Sequence, residues 1–322
     1  MDLLTHVLNI RRRGDVVMNT DNVMLPNVNS SKNTSIKRNY LQKAKDFFSA
    51  LISNKAALLG LIIILILIFV ALFGKFLMPY DPYTGELSQS LQSPSAAHFF
   101  GTDEQGRDIF SRVIDGTSVS LRVGVIAVAI SLSIGTFFGA MCGYFGGKID
   151  MILMRIMDII LAFPSMLLAI AFMSALGKGI DKAVIAISIV TIPEYARIVR
   201  GCVLSLKESE YVEAAKVIGN NDFTIIFKHI LPNILSPIIV RATLGISSAI
   251  LDTAALGFLG LGVQPPLAEW GTMLGSGRNY FNNAPFIILF PGLAITITVL
   301  AFNLLGDGLR DARSEEHTSE LQ

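Results

Sequence analysis

Long apolar runs separated by polar segments dominate the chain. A helix needs about 20 mostly apolar residues to cross the hydrocarbon core of a bilayer. Residues 56–74 carry no charge and approach that length. A second run at 123–144 is rich in Gly and Ala, and a third at 159–176 has Pro164 inside it. The fourth, 183–199, is interrupted by Pro193, Glu194 and Arg197. The fifth, 233–256, must accept Arg241 or Asp252 within or near its ends, and the sixth, 279–306, has no charge. The pattern predicts an all-α membrane protein with six transmembrane helices. Ahead of the first run, residues 1–40 are rich in Asn, Ser and Arg without periodicity and read as a disordered arm. Residues 43–55 fit a short amphipathic helix with Phe47, Phe48, Leu51 and Ile52 on one side. The first apolar run starts too far along for a cleavable signal peptide, so it is expected to stay as an anchor.

Composition agrees with this reading. Only 16% of residues are charged and 52% are hydrophobic, against about 25% charge in soluble domains. The net charge of +1 suggests neither nucleic acid nor a polyanion as partner. Cys142 and Cys202 do not resemble a metal site or a disulfide framework. Lys and Arg set the orientation. The N-terminal arm and the even-numbered connections hold eighteen of them, and the odd-numbered connections hold six. Both termini are therefore expected in the cytoplasm. Two connections are long. Residues 75–118 are outside and acidic, with Asp81, Glu86, Asp103, Glu104, Asp108 and Asp115. Residues 201–232 are inside and look helical. The division expected is an arm (1–55), a first span (56–74), an outer loop (75–118), a five-helix core (119–310) and a tail (311–322).

Three segments carry candidate chemistry. In the inner loop, Tyr211, Ala215 and Ile218 fall at helical spacing on one face. Gly219 suits a helix C-cap and Pro232 suits the start of the next span. Such a helix either rests on lipid headgroups or inserts into a partner's groove, and periodicity does not separate the two. In the outer loop, Gly101, Thr102 and Asp103 are followed by Gly106, Arg107 and Asp108, a pattern of turns with side-chain caps before a helix. Before the last span, residues 257–266 are rich in Gly and end in Pro265 and Pro266, followed by Glu269 and Trp270. This suits either a re-entrant segment lining a pathway or a plain turn.

These motifs resemble a known family. Glu213-Ala214-Ala215, then Gly219, then Leu231-Pro232 is similar to the EAA loop of ABC importer permeases. The resemblance implies a coupling helix that docks into an ATPase subunit through Tyr211, Glu213, Ala214, Ala215, Gly219, Leu231 and Pro232. His229 stands where the general pattern often has Ile, and 229–233 is similar to the form in dipeptide and oligopeptide permeases. Residues 101–112 resemble the Gly-Thr-Asp-x-x-Gly-Arg-Asp-x-x-Ser-Arg signature of the second permease subunit of the peptide/nickel subfamily. Residues 257–271 are similar to the same subunit's loop before its last span. The likeness covers roughly 56–313. It implies a type I, MetI-like permease core working by alternating access. It also implies a heterodimer with a second permease subunit, two ABC ATPase subunits that hold the ATP and Mg, and an extracytoplasmic solute-binding protein. The substrate implied is a di- or oligopeptide, with nickel chelates or opines as the alternative in the same subfamily.

Charge at membrane depth is costly, so Asp158, Glu194, Arg197, Arg241 and Asp252 stand out. Arg197 and Arg241 fit cytoplasmic ends where long side chains snorkel. Asp252, nearer the outer end of its run, joins Gln264, Glu269 and Trp270 as a pathway candidate. Ser131 and Ser133 have no nearby base and read as small residues for helix packing. No Gly-x-x-x-x-Gly-Lys-Ser/Thr loop is present, and the four histidines are scattered, so no catalytic or metal site is expected. A stand-alone secondary transporter would carry a repeat with broken helices in both halves, and no repeat is seen. Residues 313–322 look like translated sequencing-adapter sequence and are assigned no function.

Overall fold

The computed structural model describes residues 49 and 51–320, with side chains as far as Arg313. The arm expected at 1–40 and most of the amphipathic helix expected at 43–55 lie outside the described residues. Within that expected helix, residues 51–53 are helical, with Leu51 buried and Ile52 exposed.

Nine helices are described: α1 (Lys55–Leu77), α2 (Ile109–Phe145), α3 (Gly147–Leu161), α4 (Ser165–Leu176), α5 (Ile180–Leu206), α6 (Glu210–Val217), α7 (Asp222–Phe258), α8 (Trp270–Gly277) and α9 (Phe286–Glu320). No strand occurs among the described residues. α1, α2, α7 and α9 are long and apolar enough to cross a membrane, and the bent pair α3–α4 brings the total to as many as five. α5 has 27 residues, enough length to cross, but Glu194, Arg197 and Arg200 lower its apolarity. Of the six expected spans, four are long and apolar enough to cross, five if the bent pair α3–α4 is one span, and α5 is not apolar enough.

The edges differ from the sequence pattern for local reasons. The run at 159–176 is not one helix. It breaks between α3 and α4 with a bend of 92°. Pro164 has no N–H to continue the ladder, and Ala162 turns back on the carbonyls of Asp158 and Ile159. α2 begins at Ile109 rather than near 123, because Asp108 caps it and its first turns are too polar to show in hydropathy. α9 begins at Phe286 rather than 279, after a tight turn around Tyr280 and Pro285. The start of α7 winds through a wide turn at Ile225–Ile230 and a tight one at Leu231–Ile234, as Pro232 prevents a regular ladder.

α1 is the least buried span. Only Ala57, Gly60, Ile64 and Gly74 are fully buried, Ile63, Leu67 and Ala71 are partly covered, and most of the remaining apolar surface faces outward, as suits a lipid-facing helix. Ile64 joins Leu121, Ile250, Ala301 and Phe302 in a cluster that ties α1 to α2, α7 and α9.

The centre is the contact between α2 and α5. Gly135, Gly139 and Gly143 repeat every four residues along one face of α2. A Cβ at Gly139 would lie 2.4 Å from the Ala196 carbonyl oxygen, and one at Gly135 would lie 2.6 Å from the Tyr195 Cβ. Small residues allow this approach in a medium where apolar burial gives little drive. Hydroxyls add to it. Ser131 donates to the Ser188 carbonyl at 3.1 Å and meets the Thr191 hydroxyl at 2.6 Å, while Ser188 bonds the Ala127 carbonyl at 3.2 Å.

Gly139→Leu has no room for its side chain and should lower the yield of monodisperse, detergent-extracted subunit severalfold, since overpacking of a filled site costs about 1–3 kcal/mol or more. Gly201→Leu, where a Cβ meets nothing within 4 Å, should leave that yield unchanged. Size-exclusion chromatography of the two variants checks both outcomes.

Candidate functional site

α6 is a short helix displayed at the end of the bundle where α2 and α5 finish. Ser209 precedes it, and Glu210 and Glu213 lie in its first turn, where carboxylates suit the amide end. Its inward face is Val212 and Ala215, packed against Val199, Val203, Ile225 and Ile226. The stripe expected from spacing was Tyr211, Ala215 and Ile218. Of these only Ala215 is covered, and Tyr211 is half in solvent. Gly219 has φ +88 and closes the helix. Its N–H bonds the Lys216 carbonyl and the Asn220 N–H bonds the Ala215 carbonyl, a Schellman arrangement.

The C-terminal end of α6 leaves apolar side chains outside, beyond the exposed Glu210, Glu213 and Lys216. Val217 and Ile218 are 87% and 80% exposed, and Phe223 and Phe227 are exposed beyond them. Glu213, Ala214, Gly219 and Pro232 are also exposed, and Leu231 is half-buried. Sequence spacing singled out Ile218 for the wrong face and missed Val217, Phe223 and Phe227. For Val217 the one signal is a β-branched pair, Val217 and Ile218, placed directly before a C-capping glycine. The loop is anchored to the bundle. Tyr144 at the end of α2 donates to Asp222 at 2.7 Å, and the Lys216 ammonium lies 5.6 Å from the Tyr144 ring centre. Arg200 grips Asp150 through two nitrogens at 2.5 and 2.7 Å, which fixes α3 on α5.

At the other end, the motif residues of the outer loop form a clamp on the start of α2. Asp103 accepts from the Gln105 and Arg107 amides at 2.9 Å and from Arg107 Nε at 2.7 Å. Asp108 caps α2 by accepting from the Ser111 amide and hydroxyl at 2.8 Å, and its other oxygen meets His98 Nδ1 at 2.9 Å. Thr102 pairs with Asp108 in a single bridge and donates its hydroxyl to the Gln89 carbonyl. Gly106 has φ +73, and a Cβ there would overlap the Glu86 carbonyl at 1.9 Å. Gly101 likewise has φ +78.

The segment before the last span is folded onto α7. α8 lays Gly271 and Gly275 along the main chain at Ala254 and Phe258. Trp270 is buried and donates to the Val113 carbonyl at 3.0 Å. Glu269 is also buried, and its carboxyl accepts from the Gly271 and Thr272 amides at 2.8 Å each. Two of the four pathway candidates are therefore enclosed within the fold. Gln264 is half-buried and bonds the Gly262 carbonyl at 2.9 Å. Asp252 opens onto a cavity of about 320 Å³ between α7, α5 and the α3–α4 break. Arg241 and Glu194 line the same cavity and pair with each other. Asp158 and Arg197 pair at 2.8 Å on an exposed face instead.

Residues 135–314 match the family described as binding-protein-dependent transport system inner membrane component. The chain belongs to this family. Residues 43–94 also match the N-terminal TM domain of oligopeptide transport permease C. The chain is 52% identical over 268 residues to the dipeptide transport system permease protein DppC of Alkalihalophilus pseudofirmus, covering 83% of this chain and 88% of that protein. It is 46% identical over 279 residues to the di/tripeptide transport system permease protein DppC of Pseudomonas aeruginosa, covering 85% and 92%. It is 45% identical over 269 residues to the glutathione transport system permease protein GsiD of Pectobacterium atrosepticum, covering 83% and 89%. The chain is thus a helical permease component of the inner membrane, with a MetI-like fold, and not an enzyme. Membership also leaves a stand-alone secondary transporter without support.

Burial pushes the Glu269 carboxyl from the usual 4.5 up to about 7, against the pull of the two amides. A carboxyl raised in the folded state stabilises fully below pH 4.5, and that contribution is lost as pH rises to 7. Thermal unfolding of the detergent-solubilised subunit should therefore show stability falling across this window, by up to about 3 kcal/mol from this group. In Glu269→Gln that part of the slope should vanish. An identical pH profile in the variant would contradict the assignment.

Proposed function

We propose that this chain is the second permease subunit of an ATP-driven importer that moves di- or oligopeptides into the cytoplasm by alternating access. The observation that carries this is the exposed apolar end of α6, held out by the Gly219 cap and the Tyr144–Asp222 bond. A soluble face would bury Val217 and Ile218 or replace them, whereas a helix that enters a partner's groove needs them outside. The partner is an ATPase subunit. Tyr211, Glu213, Ala214, Ala215, Gly219, Leu231 and Pro232 form the surface and frame of the contact. Two such ATPases hold the ATP and Mg, and a second permease subunit completes the pathway. An extracytoplasmic binding protein delivers the substrate to the end formed by the outer clamp and α8. Both termini then lie in the cytoplasm, the side on which Lys and Arg accumulate. The names of three relatives, for dipeptide, di/tripeptide and glutathione transport, support a short peptide over a nickel chelate or opine.

Closure of the ATPase pair on ATP would pull α6, and α5 would transmit the movement to the bundle. A side chain at Gly219 meets no neighbour within 4 Å, so the fold tolerates its volume. Its positive φ still costs a non-glycine residue about 1–2 kcal/mol, enough to distort the cap. Gly219→Leu should insert normally yet lose peptide uptake and transport-coupled ATP hydrolysis in proteoliposomes holding the whole transporter. Wild-type uptake by this variant would sink the docking assignment. Calorimetry of candidate peptides and nickel on the cognate binding protein tests the substrate half of the proposal.

A further inference from the structure

The cavity beside Asp252 is lined by two helices and by both sides of a broken one. Asp252 comes from α7, Glu194 and Thr191 from α5, and Leu161 and Ser165 from the two sides of the α3–α4 break. Glu194 is engaged with Arg241. The Asp252 carboxyl has no hydrogen bond or ion pair to any described residue. Its neighbourhood holds two carboxyls against one guanidinium, so the side chains leave an excess of one acidic group. The carbonyl end of α3 and the amide end of α4 both face the break, so their dipoles oppose and the side chains decide the sign. A carboxyl at membrane depth without a counter-charge is expensive unless a ligand supplies one. The volume of about 320 Å³ is at the lower end of the range for small-ligand sites. The Thr191 and Ser248 hydroxyls in the wall keep lone pairs that can accept from further N–H groups.

We infer that this cavity is a subsite within the membrane for the α-ammonium group of the transported peptide, with Asp252 as its counter-charge. The inference rests on the peptide-permease reading and adds where, within this chain, the peptide is held. Broken helices that present main-chain ends and a carboxyl to a substrate's charged group are a general solution to passing such a group through a bilayer. Glu194 and Arg241 are positioning residues here: their pair engages the one guanidinium that the described residues bring to this cavity and keeps it from neutralising the Asp252 carboxyl.

Two measurements on the complete transporter in proteoliposomes test this. In the first, Asp252→Asn should take up dialanine about tenfold or more slowly, the value of one charge-assisted hydrogen bond. Asp252→Glu should restore a large part of the rate, and co-purification of the partner subunits shows that each variant is assembled. The second uses wild-type protein, so it does not depend on a variant folding. Dicyclohexylcarbodiimide adds to carboxyls in apolar surroundings, and mass spectrometry reads its addition at Asp252. Dialanine with its loaded binding protein and ATP should slow that labelling, and N-acetyl-dialanine should not. Unchanged uptake by Asp252→Asn, or labelling indifferent to dialanine while uptake proceeds, overturns the subsite alone. Failure of wild-type transporter to take up any di- or tripeptide overturns the peptide reading and the subsite with it.

Discussion

Gly135, Gly139 and Gly143 sit one turn apart on α2, and α5 brings its own main chain against them at Ile192, Ala196 and Arg200. In lipid, helices gain little by hiding apolar side chains from each other, so contact of this kind comes from close packing and interhelical hydrogen bonds. The glycine column provides the first, and Ser131, Ser188 and Thr191 provide the second. Larger side chains on α2 would separate the helices and break both. The two partners then fix the rest of the chain at either end. α2 starts at the Asp108 clamp and ends at Tyr144. α5 starts beside α4 and leads through a three-residue turn into α6.

Because α2 and α5 are locked together, α6 is held on two sides. Val212 and Ala215 seat it on the α5 and α7 side chains, and Tyr144 ties the following loop to α2. The C-terminal end left over is apolar, with Val217 and Ile218 exposed. The same lock shapes the interior cavity. α5 supplies Glu194 and Thr191 a few residues from its contact with the glycines, and α7 supplies Arg241 and Asp252. Any displacement of α6 along α5 would therefore reach the walls of the cavity through one continuous helix. The outer clamp and α8 work differently, as rigid local folds that cap α2 and cover α7.

Much of this was legible in the sequence, and what was not has identifiable causes. Apolar run length located α1, the core of α2, and α7 and α9, because lipid exposure demands continuous apolarity. α5 was weaker in hydropathy for the same reason that it matters: its charged residues face a cavity or partners. Pro164 marked the break between α3 and α4, but only the folded chain reveals the size of the bend. Gly219 was readable as a cap because a helix end has a local chemistry. The face of α6 was not. An eight-residue helix accommodates a stripe through Tyr211, Ala215 and Ile218 as easily as one through Val212 and Ala215, and packing chose the second. Glu269 and Trp270 looked like pathway residues because a polar or amphipathic side chain near a glycine-rich turn suggests a site. They are enclosed because Gly257 and Gly271 let α8 lie directly on α7, and nothing local predicts that.

The central claim is that the lock between α2 and α5 displays Val217 and Ile218 for a partner. Maleimide labelling of Ile218→Cys, in a background with Cys202→Ala and with Cys142 buried, tests it most directly. The position is 80% exposed in the subunit alone, so labelling there should be fast. In the transporter assembled with its ATPase subunits it should slow about tenfold or more, as for a side chain at the centre of a desolvated contact. Equal rates in the isolated subunit and the assembled transporter would contradict the account.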